Sequence, residues 1–311
     1  MKKLGTRAVL AAAALAVLPS AYAAASITVQ TTTNATTMVN TLVPAATGIT
    51  IVDGSASYTG ASNASGTFTN ANFLGSGFNM GVVLTTGNAG NLDGPNTGES
   101  DYSNDNLFTG GNAKLDAIVS PRTTHNASTL SFKFVPSADV ISFQFVFGSD
   151  EYSEFVGSQF NDVFGFFLDG TNIALIPGTT TPVAINTVNN GESDGTTPAS
   201  HPEFFTDNDS DTGAKLDTKL DGLVGQKKAL FAQADVTPGE EHTIEITIGD
   251  TTDSIYDSAV FLLGGSFIDE PPPPVEPPPP TGIPLPAGVW AGLGMLGGVG
   301  ALSRFKRLRT A

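Results

Sequence analysis

The chain has 311 residues, of which 40% are hydrophobic, with 35 glycines, 20 prolines and no cysteine. This composition excludes a chain that is disordered overall and a multi-pass membrane protein. The lack of cysteine excludes disulfide bonds, so the fold depends on its hydrophobic core and on any bound ions.

Charge is distributed unevenly along the chain. Residues 24–281 contain all 30 Asp and Glu residues but only seven of the 14 Lys and Arg residues, which gives this part a net charge of −23. Nucleic acid is not expected as a partner, because phosphate binding needs a basic patch. Divalent cations, or a polyanion bridged by them, match this charge better.

The N-terminus has the pattern of a secretory signal peptide. Three basic residues precede the apolar run Ala8–Leu18, and Ala21-Tyr22-Ala23 forms a small-x-small cleavage site. The apolar run is too short for a membrane helix and ends at Pro19. We therefore predict that residues 1–23 are removed, with Ala21 and Ala23 marking the cleavage site, and that the rest of the chain is exported.

Residues 24–268 contain many short apolar segments separated by Gly-, Ser- and Asn-rich turns. The Thr-rich segment Ser26–Asn40 is compatible with either a first edge strand or an irregular lead-in. Gly81–Thr86 has the composition of a buried strand, and Leu130–Val135 alternates apolar and polar residues, which predicts a hairpin with Val140–Phe147. Lys114–Ser120 favours a short helix. Together these patterns predict one all-β domain, a two-sheet β-sandwich of jelly-roll type.

The stretch Val140–Leu168 is the most aromatic part of this domain. Ile141, Phe143, Phe145 and Phe147 fall on one face of a predicted strand, and Asp162–Leu168 is apolar on both faces, which is typical of a strand between two layers. The connecting loop contains Asp150, Glu151 and Glu154 and no basic residue. Clustered carboxylates repel one another unless a cation lies among them, so the loop is either a solvated turn or a cation site.

Two further loops are rich in carboxylates. Asp250, Asp253 and Asp257 precede the last predicted strand, and Asp207–Asp211 resembles the first half of an EF-hand loop but lacks its glycine and its final glutamate. Loops from non-adjacent strands meet at one end of a sandwich, so the first and third clusters are predicted to share an ion. Calcium is the only cofactor that these patterns favour, and its candidate ligands are Asp150, Glu151, Glu154, Asp162, Asp253 and Asp257.

Catalytic motifs are poorly supported. The three histidines are far apart in the sequence, and the chain has neither an HExxH motif nor a GxSxG elbow. Glu151, Glu154 and Asp162 could supply the carboxylate pair that glycoside hydrolysis requires, but any acidic loop offers such a pair. We predict no catalytic residue.

The C-terminal part consists of a spacer and an apolar segment. Residues 269–282, DEPPPPVEPPPPTG, favour an extended polyproline II rod. Leu285–Leu302 lacks charged residues, and as a helix it would be about 27 Å long, just short of a hydrocarbon core of roughly 30 Å. The basic residues from Arg304 onward indicate the cytoplasmic side. A plain single-span anchor is the alternative to a processed signal.

Two resemblances accompany these patterns. The stretch FVFGSDEYSEFVGSQFNDVFGFFLDG, together with Pro182–Asn190 and Ala234–Leu262, resembles bacterial surface proteins with a choice-of-anchor L domain. This resemblance implies a secreted or cell-surface β domain and supplies no catalytic residue. The motif Ile283, Pro284, Leu285, Pro286, Ala287 resembles the VPLPA-type (PEP-CTERM-like) sorting signals of Gram-negative bacteria, with Ile in place of the first Val. It implies processing by an exosortase after transient anchoring in the inner membrane through residues 285–302.

The leading functional hypothesis is a non-enzymatic cell-surface or extracellular-matrix protein that binds or scaffolds exopolysaccharide and is stabilised by calcium. The alternative is a secreted, glycosidase-like hydrolase that uses the carboxylates of the acidic loop. Substituting Glu151 and Glu154 by Gln separates the two, because it would abolish hydrolysis and leave binding by a scaffold largely intact.

Overall fold

The structure is a computed structural model, and it describes residues 26–43, 48–75, 77–98, 100–103 and 110–272. The predicted signal peptide, the sorting motif and most of the Pro-rich spacer lie outside these residues. Within them, the search for a helix of sufficient length and apolar character to span a membrane finds none.

The described chain is mostly β, with two short α-helices, α1 (Ala35–Leu42) and α2 (Ala113–Ile118), and two single turns of 3-10 helix at Asn72–Leu74 and Ala89–Asn91. Its strands are β1 (Thr28–Thr31), β2 (Ile49–Ile51), β3 (Ser57–Thr59), β4 (Ser65–Thr69), β5 (Met80–Thr85), β6 (Thr124–Pro136), β7 (Val140–Ser149), β8 (Val163–Leu168), β9 (Thr171–Asn172), β10 (Phe205–Asp207), β11 (Gly222–Val224), β12 (Leu230–Asp235), β13 (His242–Thr251) and β14 (Ser258–Leu263).

The strands form two antiparallel sheets. The eight-stranded sheet has the order β1-β4-β5-β14-β7-β11-β10, with β12 also paired to β7. The six-stranded sheet has the order β2-β6-β13-β8-β9, with β3 also paired to β6. Most neighbouring strands are distant in sequence, so the pairing depends on long-range contacts.

One hydrophobic core is shared by both sheets. β7 contributes the predicted inward face of Ile141, Phe143, Phe145 and Phe147, and β8 contributes Phe164, Phe166 and Leu168. The isoleucines of β13 at positions 244, 246 and 248 join the same core, as their alternation predicts. The described domain is therefore a two-layer β structure with a large aromatic cluster between the sheets.

The outer faces of both sheets are partly covered. Val146 of β7 packs with Phe68 and Phe261 in a second cluster, and Val163 and Phe167 of β8 pack with Leu115 of α2 in a third. β8 is therefore buried on both faces, as its composition predicts.

The predicted hairpin between Leu130–Val135 and Val140–Phe147 is wrong. These segments lie in β6 and β7, which belong to different sheets, so Pro136–Asp139 carries the chain from one layer to the other. The acidic loop between β7 and β8 also joins the two sheets. In each case both strands present apolar side chains to the same core, which places them face to face, not edge to edge.

Helix α1 occupies part of a segment for which only a strand or an irregular lead-in is expected from the sequence. Asn34 caps it by accepting a 3.1 Å hydrogen bond from Thr37 N. Its buried residues, Ala35, Met38, Val39 and Leu42, follow the i, i+3, i+4, i+7 spacing of a helix. That spacing, together with the Asn cap, is a signal present in the sequence that the Thr-rich composition conceals.

Candidate functional site

Strand register brings several carboxylates to one end of the two sheets. Ser149, the last residue of β7, is paired with Gly222 of β11 on one side and Ser258 of β14 on the other. Asp150, Asp221 and Asp257, which flank these three residues, are therefore neighbours. In the other sheet, Gly249 of β13 pairs with Val163 of β8, which makes Asp250 and Asp162 neighbours. All five of these aspartates are completely buried.

Asp162 has both carboxylate oxygens satisfied by hydrogen bonds. Thr251 N donates to Oδ1 at 2.9 Å, and Ser258 Oγ donates to Oδ2 at 2.7 Å. Burial nevertheless raises the pKa of Asp162 to about 7, because these two hydrogen bonds only partly offset the lost hydration.

Four other carboxyl groups each keep one buried oxygen without a hydrogen-bond partner. These oxygens are Asp150 Oδ1, Glu151 Oε2, Asp221 Oδ2 and Asp250 Oδ1, and each of the four residues is at most 1% exposed. A buried polar atom without a partner costs free energy, so four in one region require an explanation.

For three of these groups, the other oxygen is held by a protein donor. Tyr102 N donates to Asp150 Oδ2 at 3.0 Å, Asn126 Nδ2 donates to Asp250 Oδ2 at 3.1 Å, and Asn96 Nδ2 donates to Asp221 Oδ1. Each of these carboxyls is thereby oriented by at least one hydrogen bond. The cluster is built into the fold and is not a set of independently solvated side chains.

Burial raises the pKa of every one of these groups. The pKa of Asp150 rises to about 8 and those of Glu151 and Asp221 to about 10, and the pKa of Asp250 lies well above its usual range. Neighbouring carboxylates add to the effect of burial, chiefly Asp162 for Glu151 and Asp150 for Asp221. At neutral pH these groups therefore need either a proton or a cation to offset their charge.

The structure brings the predicted first and third clusters together. Asp162, Asp253, Asp150 and Glu154 all raise the pKa of Glu151 through their charge, which places them in one electrostatic neighbourhood. Asp257 is buried at the start of β14, whereas Glu154 and Asp253 are partly exposed at the edge of the cluster. The six predicted ligand residues thus lie in one region of the molecule.

Two buried carboxyls of this region, Asp221 and Asp250, are absent from the predicted ligand set. Asp250 belongs to the third acidic loop but lies within β13. Asp221 precedes β11, which has only three residues and gives no strand signal of its own. Their position follows from long-range register, which the sequence alone does not reveal.

The Asp207–Asp211 loop reaches the same end of the domain. The charge of Asp209 contributes to the raised pKa of Asp221. Asp207, Asp209 and Asp211 also line a polar cleft of about 480 Å³ together with Glu154. Backbone N–H groups of Asp209 and Asp211 donate to the aspartate carboxylates two positions earlier, as in local Asx turns.

Across the part of the chain that the structure describes, no three Asp, Glu, His or Cys side chains are arranged so that they could hold a metal ion as they stand. The acidic cluster is therefore not a preformed coordination cage. What it offers is a group of oriented, incompletely satisfied carboxyl oxygens, the type of ligand that calcium and magnesium prefer.

Comparison with known proteins gives the family and little more. The sequence model of the Choice-of-anchor L domain family matches residues 26–268, which cover nearly the whole described domain. No curated protein and no solved structure shows significant similarity. The match spans well over half of the chain and includes the acidic loop between β7 and β8. The chain belongs to the Choice-of-anchor L domain family.

Proposed function

We propose that this protein is an exported, non-enzymatic cell-surface or extracellular-matrix protein that scaffolds exopolysaccharide and whose β domain is stabilised by calcium. Membership of the Choice-of-anchor L domain family supports a surface-anchored protein and specifies no biochemical activity. Calcium and exopolysaccharide are therefore argued from the residues themselves.

The observation that carries the calcium proposal is the set of four buried, unpaired carboxylate oxygens on Asp150, Glu151, Asp221 and Asp250. A hard divalent cation satisfies such oxygens and offsets the mutual repulsion of the carboxylates. Glu154, Asp162, Asp253 and Asp257 are the further acidic residues of the same region. Binding would require these side chains to converge, because no three of the described acidic groups stand at coordinating positions.

The burial of the candidate catalytic carboxylates supports a binding protein over the hydrolase alternative. Glu151 and Asp162 are at most 1% exposed, so a glycosidic bond has no access to them in this conformation. Both oxygens of Asp162 are also engaged by Thr251 and Ser258.

Exopolysaccharide is proposed on grounds of charge and location. The net charge of −23 over residues 24–281 repels a polyanion, and calcium offsets this repulsion by bridging accessible carboxylates on both partners. Glu154, Asp253 and Asp207, which are partly exposed, and Asp211, which is exposed, provide such carboxylates near the buried cluster. Acidic polysaccharide is therefore the class of matrix polymer that fits a calcium-dependent scaffold.

We further propose that the two sheets form a sandwich of jelly-roll type and that residues 269–282 form a stiff stalk behind it. The motif Ile283–Ala287 and the apolar segment that follows support exosortase-type sorting in a Gram-negative bacterium, with transient inner-membrane anchoring. Asp269, the first residue of the proposed stalk, accepts hydrogen bonds from Gly48 N and Ser137 N, at 3.1 and 3.2 Å, so this residue is held against the domain.

Co-sedimentation tests the scaffold proposal. The full chain is mixed with hyaluronate, an acidic polysaccharide, or with neutral dextran, in calcium, in magnesium or in chelator at matched ionic strength. We expect co-sedimentation with hyaluronate in calcium and none in chelator or with dextran. Equal binding in chelator contradicts calcium bridging, and lack of hyaluronate binding in calcium contradicts the scaffold for acidic polysaccharide.

A further inference from the structure

A second polar cleft lies beside the acidic cluster and is distinct from it. It has a volume of about 380 Å³ and lies between the turn after α2, the loop that follows Val156 and the end of β13. Pockets of this size hold small ligands such as one or two sugar units. Its polar lining side chains include Arg122, Gln159, Asn161, Asn186 and Thr251.

The walls of this cleft are held together by a network of hydrogen bonds. Asn186 Oδ1 accepts from Gly157 N at 2.6 Å, and Asn186 Nδ2 donates to Ser158 O at 3.0 Å. Asn161 Oδ1 accepts a hydrogen bond from Asn186 N at 2.8 Å, and the backbone carbonyl oxygen of Asn161 accepts one from Thr251 Oγ1 at 2.8 Å. The loop is therefore tied to β13 and to the Asn186 segment, so the cleft is a defined feature of the fold.

Arg122 is the only arginine between residues 24 and 281. It is exposed at the cleft, and its backbone is held by a 3.0 Å hydrogen bond from Arg122 N to Val119 O. Among the described residues, only Lys114 and Lys133 of the seven Lys and Arg residues form ion pairs with carboxylates, and Arg122 is the one cation that lines this cleft. An arginine that stays unpaired in so acidic a domain presents its five N–H donors to a ligand.

We propose that this cleft binds a uronic acid residue of an acidic polysaccharide. The guanidinium of Arg122 would hold the sugar carboxylate through two parallel hydrogen bonds, the geometry that arginine provides and lysine does not. The exposed amide of Gln159 and the side chain of Asn161 would meet sugar hydroxyls. This inference rests on the proposed scaffold function and names the sugar class that the scaffold recognises.

The lining favours a uronate over more highly charged anions. Apart from Arg122, the polar side chains named above are neutral amides and hydroxyls, so the cleft supplies one positive charge. A sugar with one carboxylate and neutral hydroxyls complements this single positive charge and its neutral polar surroundings. Sulfate, phosphate or an acidic peptide carries a higher density of negative charge, which the surrounding net charge of −23 repels.

Titration calorimetry of the full chain at constant calcium tests this assignment. The probes are a hyaluronan tetrasaccharide and the same tetrasaccharide with its carboxyl groups reduced to alcohols. We expect the acidic form to bind at least about tenfold more tightly than the reduced form, since only the acidic form offers a charge-assisted pair with Arg122.

Three variants locate the site. Arg122→Gln should weaken tetrasaccharide binding about tenfold or more, and Arg122→Lys should recover only part of the loss. Lys215→Gln is the matched control, because it removes the same unit of charge from an exposed residue outside the cleft and should leave affinity within about twofold. Thermal unfolding of each variant verifies that the domain is still folded.

The outcomes separate this inference from the scaffold proposal. If hyaluronate still co-sediments with the protein but Arg122→Gln binds the tetrasaccharide as the unmodified chain does, the cleft assignment is wrong and the scaffold stands. If neither polymer nor tetrasaccharide binds, both proposals fall. Equal affinity for a triglutamate peptide would show a general anion site and overturn the assignment to a sugar.

Discussion

Ser258 Oγ donates a 2.7 Å hydrogen bond to Asp162 Oδ2, which joins the first residue of β14 in one sheet to the residue preceding β8 in the other. Thr251 N satisfies the second oxygen of Asp162 at 2.9 Å. Asp162 is therefore a structural link between the two layers. Asp150 and Asp250, which each keep an unpaired oxygen, are better placed to give a ligand atom to a cation.

Calcium should raise the melting temperature of the domain, because an ion bound only by the folded state stabilises it. The gain is about 2.7 kcal/mol when free calcium is a hundredfold above its Kd. Asp250→Asn should remove most of this shift, since a neutral amide replaces a carboxylate whose unpaired oxygen would face the ion. Thermal unfolding in millimolar calcium and in chelator measures the effect.

Asp139→Asn is the control for that experiment. Asp139 is exposed, so its substitution should leave the calcium shift unchanged. Magnesium should produce a smaller shift than calcium, because it demands a stricter octahedral geometry that a cluster without preformed coordination does not supply. A melting temperature that is the same in calcium and in chelator would rule out the specific site.

Patterns of alternation in the sequence predict the faces of individual strands, and the structure confirms them for β7, β8 and β13. The same patterns do not determine which strand pairs with which. β6 and β7 resemble a hairpin because they are adjacent and both alternate, yet each presents its apolar face to the core from opposite sheets.

The acidic site shows the same division between local and long-range information. The carboxylate-rich loops are evident in the sequence, and so is the expectation that two of them meet. The contribution of Asp221 is not evident in the sequence, because Asp221 joins the cluster only through the pairing of Gly222 with Ser149, 73 positions away in the chain. The cleft at Arg122 likewise combines residues from four separate segments.

Phe145 and Phe166 should be essential for stability. Both are completely buried, with the Phe145 ring 4.9 Å from that of Phe164 and the Phe166 ring 4.7 Å from that of Phe143. Truncating either to Ala should lower the free energy of unfolding by about 3–5 kcal/mol through lost burial and the cavity left behind. Urea unfolding of each variant measures this loss.

Met80→Ala provides the comparison for these core variants. The side chain of Met80 is 50% exposed, so its removal should change the free energy of unfolding by less than about 1 kcal/mol. A loss of that small size for Phe145→Ala or Phe166→Ala would show that the described core is incorrect.

The mature protein should lack both ends of the encoded chain. The signal pattern places the first cut after Ala23, and the motif Ile283–Ala287 places the second near the start of the apolar segment. The intact mass of material from the cell surface should therefore correspond to a start near Ala24 and to the loss of Trp290. Retention of the complete tail would leave a plain membrane anchor as the explanation of the C-terminal pattern.

The stability of the calcium-free domain should fall as pH rises, which is the reverse of the usual behaviour of carboxylates in ion pairs. Burial raises the pKa of Asp162 to about 7, of Asp150 to about 8 and of Glu151 and Asp221 to about 10 in the folded state. In the unfolded chain the same groups titrate near pH 4. The folded state therefore binds more protons than the unfolded state between these limits. The stability that each proton contributes is lost progressively as pH rises from the unfolded pKa to the folded pKa.

In chelator, we expect a lower melting temperature at about pH 8 than at about pH 6. Glu151 and Asp221 hold protons in the folded state throughout this interval, and Asp162 and Asp150 hold them in its lower part, whereas the unfolded chain has already lost all four. Calcium competes with protons for the same oxygens, so its stabilising effect should be larger at the higher pH. Asp253→Asn should weaken the pH dependence in chelator, because the charge of Asp253 contributes to the raised pKa of Asp162, whereas Asp139→Asn should leave it unchanged. A melting temperature in chelator that is constant or rises over this interval would mean that the buried carboxyls titrate as exposed ones do, and would remove the physical basis for a cation at this end of the domain.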